Sequence, residues 1–171
     1  MHRLKELIIE LSANCNLACS MCGYGRQPYS SSKFMKKELF QLILDKFGGN
    51  SEIIRLNGRG ESTLHPEFIS MLSYTKERFP NANINLFTNL CFNNKVLLDS
   101  FLASDMQLFV SIDSPNSDEL HKIRVKSSYT LITQNLDYLR QAKRRPFLVF
   151  TLQPANAHRI IDISKFANLY N

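Results

Sequence analysis

Five short apolar runs, at residues 7–11, 53–56, 84–87, 108–112 and 147–152, are separated by segments whose apolar residues recur at helical spacing. Each run has the length of one strand. The stretches at 35–47, 67–79, 95–102 and 129–142, with a last one at 157–169, have the length and period of helices. In the first of them Leu39, Phe40, Ile43, Leu44 and Phe47 share one stripe, and in the fourth Leu131, Ile132, Leu136 and Leu139 do so. Asp118 opens a further short polar helix or turn. A chain that passes through about a dozen helical residues after each strand is carried back to the same end of the sheet. The alternation therefore predicts parallel strands joined by right-handed crossovers, an α/β architecture. Punctuation agrees: Gly48-Gly49-Asn50 stops the first helix, Pro80-Asn81 the second, and His65-Pro66 opens the second. Runs without polar alternation, such as Phe147-Leu148-Val149-Phe150, predict strands covered on both faces.

All of this has to fit one core, because 171 residues suit a single domain spanning 1–171. With 44% hydrophobic and 21% charged residues, and only 6 Gly and 6 Pro, the composition excludes disorder and collagen-like repeats. No apolar stretch reaches the roughly 18–20 residues of a membrane span. The N-terminal Met1-His2-Arg3-Leu4 runs into a strand instead of a signal sequence, so a cytoplasmic protein is expected. The formal charge of +6 permits an acidic partner without naming one. Its densest patch is Arg140, Lys143, Arg144 and Arg145, at the end of a helical run where cations also offset the helix dipole. Nucleic acid is not an expected partner, since no interleaving of aromatic and basic residues accompanies the charge.

In parallel α/β folds the loops that leave the C-terminal ends of strands build the site. After the first strand comes Cys15-Asn16-Leu17-Ala18-Cys19-Ser20-Met21-Cys22, a C-x3-C-x2-C run in a chain with one other cysteine, Cys91. Three close thiols leave one over in any disulfide pairing, so the cluster reads as metal binding. A structural zinc site takes four ligands, and Cys91, His65, His121 and His158 are the candidates for a fourth. Three thiolates on one loop also suit a cubane iron–sulfur cluster, with the fourth iron left open to a small molecule.

The chain resembles the radical S-adenosylmethionine (radical SAM) superfamily, and the resemblance runs its whole length. Cys15, Cys19 and Cys22 match that family's cluster ligands. Asn57-Gly58-Arg59-Gly60-Glu61 after the second strand is similar to its Gly-Gly-Glu-Pro segment, and Thr88-Asn89-Leu90 after the third to its Thr-Asn-Gly turn. Ser111-Ile112-Asp113-Ser114 after the fourth is similar to its Ser-Leu-Asp-Gly, and His121-Lys122-Ile123-Arg124 to its His-x-x-Ile-Arg. Three positions depart from the pattern: Met21 stands where an aromatic residue is usual, Ser62 where Pro is, and Leu90 where Gly is.

The resemblance implies a partial (β/α) barrel, about five strand–helix units of a six-unit radical SAM core. It implies two cofactors, a [4Fe-4S] cluster on the three cysteines and S-adenosyl-L-methionine. The implied reaction is reductive cleavage of S-adenosylmethionine to a 5′-deoxyadenosyl radical, which takes a hydrogen atom from a peptide or small-molecule substrate. Gly58 and Gly60 are expected to let the backbone adopt positive φ and approach the cofactor, with Glu61, where the family receives the methionine ammonium. Ser111 and Asp113 alternate on one strand and are expected on one face, beside a ribose. Arg124 is assigned the methionine carboxylate, and Tyr24 the place of the missing aromatic at the adenine. Thr151, Gln153 and Asn156 are further candidates for contacts. A low-potential donor such as flavodoxin is the expected reductant, drawn to the basic surface. The alternatives are an iron–sulfur electron-transfer or cluster-binding module, or a truncated protein that depends on a partner for turnover. The detailed pattern is closest to members with a cysteine-rich C-terminal extension, which this sequence lacks. The open edge of the fifth strand is then expected to be covered by an oligomer or another protein.

Overall fold

The computed structural model describes residues 4–170, so the N-terminal Met1, His2 and Arg3 lie outside the described residues. Five parallel strands form one sheet in the order β1-β2-β3-β4-β5: β1 (Leu4–Ile8), β2 (Ser51–Arg55), β3 (Asn83–Thr88), β4 (Gln107–Ser111) and β5 (Phe147–Val149). The helices between and after them are α1 (Lys37–Phe47), α2 (Phe68–Arg78), α3 (Lys95–Ala103), α4 (Ser117–Ile123), α5 (Tyr129–Gln141) and α6 (Ile160–Asn168). Because strand order follows chain order without reversal, right-handed crossovers all stack their helices on one side, the winding of a partial barrel. That face is the core: Ile54, Ile84, Leu86, Leu108 and Val110 are buried there with Phe40, Phe68 and Leu136 from the helices.

The opposite face departs from the expectation of strands covered on both sides. Arg55, Phe87, Phe109 and Phe147 share it, and Phe147 is 55% exposed. What shields this face is a cross-strand stack. Phe87 lies on Phe109 with ring centroids 4.4 Å apart, and Phe109 on Phe147 at 5.0 Å. The Arg55 guanidinium closes the row 5.0 Å from the Phe87 ring. Register makes the stack, since Phe87 pairs with Phe109 and Phe109 with Phe147.

The first strand also begins earlier than its hydrophobicity suggests. Its ladder pairs Leu4 with Ser51 through Ile8 with Arg55 and closes with Ile9 N–H donating to the Arg55 carbonyl at 2.9 Å, whereas the fully buried Leu11 lies beyond it. There the chain pairs instead with the segment leading into α1. Met35 N–H donates to the Leu11 carbonyl and Ala13 N–H to the Lys33 carbonyl, both at 2.9 Å. This change of partner sets the cysteine loop, just downstream, at the C-terminal end of β1.

Helix α5 ends in a Schellman motif, with Arg144 N–H donating to the Leu139 carbonyl at 2.9 Å and Lys143 at φ 58°. Glycine takes that backbone without the clash a side chain brings. Lys143→Gly should therefore raise unfolding stability, by about 0.5–1 kcal/mol in chemical denaturation, the relief being partly offset by the freer unfolded chain.

Helices α4 and α6 are tied through one carboxylate. Glu119 accepts from Arg159 at 2.7 and 2.9 Å and from the Ser114 hydroxyl at 3.0 Å. The Arg159 guanidinium, foremost, holds its pKa down at about 2, from an ordinary 4.5. A carboxyl with a lowered folded-state pKa stabilises fully above its unfolded value and loses that contribution as pH falls. Thermal melts between pH 4.5 and 2 should thus drop more steeply for the native chain than for Glu119→Gln.

Candidate functional site

Loops at the C-terminal ends of the first four strands converge on a cavity of about 230 Å³. Of the residues singled out in the sequence, Cys15, Cys19, Cys22, Gly58, Gly60, Glu61, Ser111 and Arg124 line it, together with Met21. Asp113 and Tyr24 do not. A larger hollow of about 660 Å³ lies at the opposite end of the sheet, around Gly48, Arg78 and Phe79, and holds none of these residues.

The cysteine loop is fixed from three sides. Ala18 N–H donates to the Val125 carbonyl at 2.9 Å and Ser20 N–H to the Ile123 carbonyl at 2.8 Å, so Cys19 is held against the segment that follows α4. Asn16 donates to the Cys91 carbonyl at 2.7 Å and accepts from the Asn89 amide at 2.8 Å, which ties the loop to the end of β3. Gly25 packs its backbone on Leu17, whose carbonyl oxygen would stand 2.0 Å from an added Cβ. Burial pushes the Cys15 thiol up to about 11, and burial likewise raises Cys19, against the lowering field of Arg124. Among the described residues, no three His, Cys, Asp or Glu side chains converge on a point where one metal ion would sit.

The other candidates for a fourth ligand are occupied elsewhere. The Cys91 sulfur accepts from Ser128 N–H at 3.2 Å. His65 accepts from Glu67 N–H on Nδ1 at 3.0 Å, which leaves Nε2 to donate to the Met35 carbonyl at 2.8 Å. His121 faces the Ser127 carbonyl and His158 the Glu119 carboxylate.

Glu61 is buried at the centre of the second loop. Its Oε1 accepts from the Thr63 hydroxyl at 2.7 Å and the Thr88 hydroxyl at 2.9 Å, and its Oε2 from Asn89 N–H at 2.8 Å. Burial raises its pKa, and these donors oppose the rise. The carboxylate is thus a knot between the loops after β2 and β3. The glycines do not behave as expected: no glycine among the described residues has positive φ. Gly60 is needed for contact with the chain's own backbone, since an added Cβ would lie 2.4 Å from the carbonyl oxygens of Ser12 and Asn14. At Gly58 it would meet the Glu10 side chain. Among the residues of the family-like turns, Leu90 takes the left-handed backbone, at φ 52°, where burial of its whole side chain offsets the strain.

Ser111 lines the cavity and Asp113 does not. The strand ends at Ser111, so alternation lapses before Asp113, which is fully buried. Its Oδ1 accepts from Thr151 N–H at 2.8 Å. Its Oδ2 lies 2.7 Å from Arg124 Nε, an ion pair whose N–H is off the hydrogen-bond axis. Arg124 in turn places Nη1 4.0 Å from Cys19 Sγ. Asn156 donates to the Asp113 and Thr151 carbonyls at 3.0 Å and accepts from Gln153 N–H, shaping the loop after β5 without lining the cavity. Tyr24, expected beside an adenine, lies under Arg59 at 5.0 Å, and Arg59 is itself clamped by Glu10. The basic patch at 140–145 lies where α5 leads into β5, the far end of the sheet from the cysteines. Reasoning from sequence missed the Asn16–Asn89 pair, although the Asn89 side chain accepting from Cys91 N–H two residues on is an Asx turn, a signal carried by the residue type.

A sequence model of the radical SAM superfamily matches residues 9–167. The chain belongs to that superfamily. The cofactors of the radical SAM superfamily are a [4Fe-4S] cluster and S-adenosylmethionine. Among curated proteins, the chain is 27% identical to a cysteine-type anaerobic sulfatase-maturating enzyme of Clostridium novyi (strain NT), over 97% of this chain and 48% of that enzyme. It is 30% identical over 111 residues to the tungsten-containing aldehyde ferredoxin oxidoreductase cofactor-modifying protein of Pyrococcus furiosus, over 64% of this chain and 29% of that protein. The chain therefore spans less than half the length of these relatives. Two solved radical SAM folds superpose on nearly all of it. One is anSMEcpe with bound AdoMet, at TM-score 0.79 and 18% identity, covering 98% of this chain and 48% of that one. The other is Streptococcus suis SuiB bound to precursor peptide SuiA, at TM-score 0.78 and 17% identity, covering 98% and 38%. Among the described residues no helix is long and apolar enough to cross a membrane.

Proposed function

We propose that this chain is the catalytic core of a radical SAM enzyme that modifies a peptide, with Cys15, Cys19 and Cys22 holding a [4Fe-4S] cluster. The observation that carries the reading is the single cavity at the strand ends lined by all three thiols, the Gly60-Glu61 turn, Ser111 and Arg124. The donor set fits the cluster. A tetrahedral ion with thiolate bonds of about 2.3 Å needs its ligands gathered on a point, and the three thiols surround a volume instead. A cubane is met at separate iron corners, so thiolates spread around a cavity suit it.

When bound, the reduced cluster and S-adenosylmethionine together supply a 5′-deoxyadenosyl radical, an abstractor of hydrogen atoms. The chain's own residues bind and orient. Arg124 offers its guanidinium to the methionine carboxylate, and Asp113 holds that guanidinium in place from behind. Ser111 offers a hydroxyl for the ribose. Glu61 keeps the glycine turn packed against the cysteine loop, where Glu61 N–H donates to the Asn14 carbonyl at 2.7 Å. Ligand pockets usually measure about 300–1,000 Å³, so the 230 Å³ cavity would take the cluster, and Ser111 and Arg124 at its wall would meet the rest of the cofactor. A peptide substrate is supported by the relatives' names, a maturating enzyme and a structure bound to a precursor peptide.

The test is anaerobic reconstitution with iron and sulfide, strong reduction, and mass spectrometry. 5′-Deoxyadenosine and methionine are expected from S-adenosylmethionine, with deuterium entering the nucleoside from deuterated peptide. A cluster that forms and leaves S-adenosylmethionine intact would make the chain a cluster-binding or electron-transfer module.

A further inference from the structure

Ser127 is 8% exposed, and its hydroxyl oxygen is buried without a hydrogen-bond partner among the described residues. A buried hydroxyl left in that state costs about 1–3 kcal/mol, so an orphan of this kind points to a group that the chain does not itself supply. Ser127 lines a hollow of about 460 Å³ between α4 and the start of α5, which shares no lining residue with the cysteine cavity. The larger hollow around Gly48, Arg78 and Phe79 has no such atom in its walls. Helix α5 begins at the same place. Its Leu131 N–H is taken by the Ser128 hydroxyl at 3.3 Å and its Ile132 N–H by the Ser128 carbonyl at 3.1 Å. The first two N–H groups of the helix, those of Tyr129 and Thr130, have no acceptor among the described residues, and neither does the Thr130 hydroxyl. His121 Nδ1 donates to the Ser127 carbonyl at 3.2 Å and so holds this segment against α4, where the exposed Lys122 joins the walls.

We propose that this hollow binds the phosphate group of a small phosphate monoester. The open end of α5 carries the partial positive charge that favours an anion, and its two free N–H groups are the donors that receive one. The buried Ser127 hydroxyl, the Thr130 hydroxyl and the Lys122 ammonium add donors from other sides of the hollow. So many donors suit a phosphate, which offers three oxygens, better than a carboxylate, which offers two. The volume falls within the range of about 300–1,000 Å³ typical of small-molecule sites, so it takes more than a bare ion. Tyr129, half-buried in the walls, supplies an apolar body for the organic part. Asp118 is the one acid in the walls, and its carboxylate opposes the ligand. Because the site stands apart from the cysteine cavity, it holds whether or not the chain binds a cluster.

The test titrates the full chain with glucose 6-phosphate, inorganic phosphate and glucose, and follows the backbone amide resonances by NMR. Glucose 6-phosphate should shift the amides of Ser127, Tyr129 and Thr130 saturably, inorganic phosphate should do so at least about fivefold more weakly, and glucose should not. Equal affinity for inorganic phosphate overturns the monoester and leaves the free ion as the ligand. No saturable shift at these amides up to about 10 mM, ten times a millimolar Kd, overturns the proposal. Shifts centred on the cysteine loop and Arg124 overturn it too, since they place the anion in the other cavity. Ser127→Ala separates a ligand-binding role from a structural one. The hydroxyl has no partner to lose, so the melting temperature of the ligand-free variant should be unchanged or raised, while affinity for glucose 6-phosphate falls at least about tenfold. A lowered melting temperature without ligand would give the hydroxyl a structural partner, and an unchanged affinity would take Ser127 out of the site; either result sinks the proposal. Asp118→Asn should tighten the same ligand about two- to fivefold, and Lys143→Ala, at the other end of α5, should leave it unchanged.

Discussion

Arg124→Met should destabilise the protein by about 3–5 kcal/mol, as read from chemical denaturation. Asp113 is fully buried, and among the described residues Arg124 is the one cation at its carboxylate, 2.7 Å away. Methionine keeps the apolar bulk of the side chain and removes only the charge. The aspartate would then keep a single donor, Thr151 N–H. Leaving a charge unpaired in the interior costs far more than the pair contributes when intact, because both ions were already desolvated. Asp113→Asn/Arg124→Met should accordingly recover most of the loss, since no net charge remains in the interior. If the single substitution costs under about 1 kcal/mol, Asp113 is hydrated in solution and does not hold Arg124 at the cavity. The pair bears on the proposed function because Arg124 also stands 4.0 Å from Cys19 Sγ and lines the cavity. A stability deficit relieved by the double substitution, without recovery of S-adenosylmethionine binding, would separate the two roles.

The pairing of Asp113 with Arg124 was hidden from the sequence for a local reason. Alternation on β4 was extrapolated past Ser111, but only one further ladder bond forms, Ile112 N–H to the Val149 carbonyl. Beyond it the backbone turns, and side-chain parity no longer reports direction. The three cysteines were legible because their spacing confines them to one loop, whatever its conformation. Residues that hold that loop were not, since Asn16 and Asn89 meet across 73 positions of sequence. Glycines misled in the same way. A Gly-x-Gly run signals either positive φ or close approach, and here Gly60 lies against the backbone of Ser12 and Asn14 while a leucine takes the left-handed turn.

The alternation of strands and helices was the most legible property, because each unit carries its own period. Limits appear where hydrophobicity and hydrogen bonding part company. Apolar residues mark burial, and at β1 the buried Ile9 makes the last ladder bond while Leu11 sits past it, so the strand's letters pointed a few residues downstream. At β5 an unbroken apolar run suggested a strand covered on both faces. The run is equally compatible with one face covered by neighbouring rings, and the Phe87–Phe109–Phe147 stack depends on inter-strand register, which no single segment encodes.

Alanine at Cys15, Cys19 or Cys22 should each reduce reconstituted iron and sulfide, and the accompanying visible absorbance, at least about tenfold, while Cys91→Ala should leave both unchanged. Cys15, Cys19 and Cys91 begin on similar terms, since all three are raised by burial, and none of the four thiols is in a disulfide. Position distinguishes them. The first three line the cavity, whereas the Cys91 sulfur is engaged by Ser128 N–H and does not line it. With Cys15, Cys19 and Cys22 as the proposed ligands and no fourth at hand among the described residues, the site has no spare thiolate or imidazole, because His65, His121 and His158 are held by Met35, Ser127 and Glu119. Loss of any one ligand therefore exposes a second iron corner instead of recruiting a substitute. Full cluster in Cys15→Ala would show that the loop was misassigned, and loss in Cys91→Ala with unchanged thermal stability would make Cys91 the fourth ligand, closing the corner that S-adenosylmethionine requires.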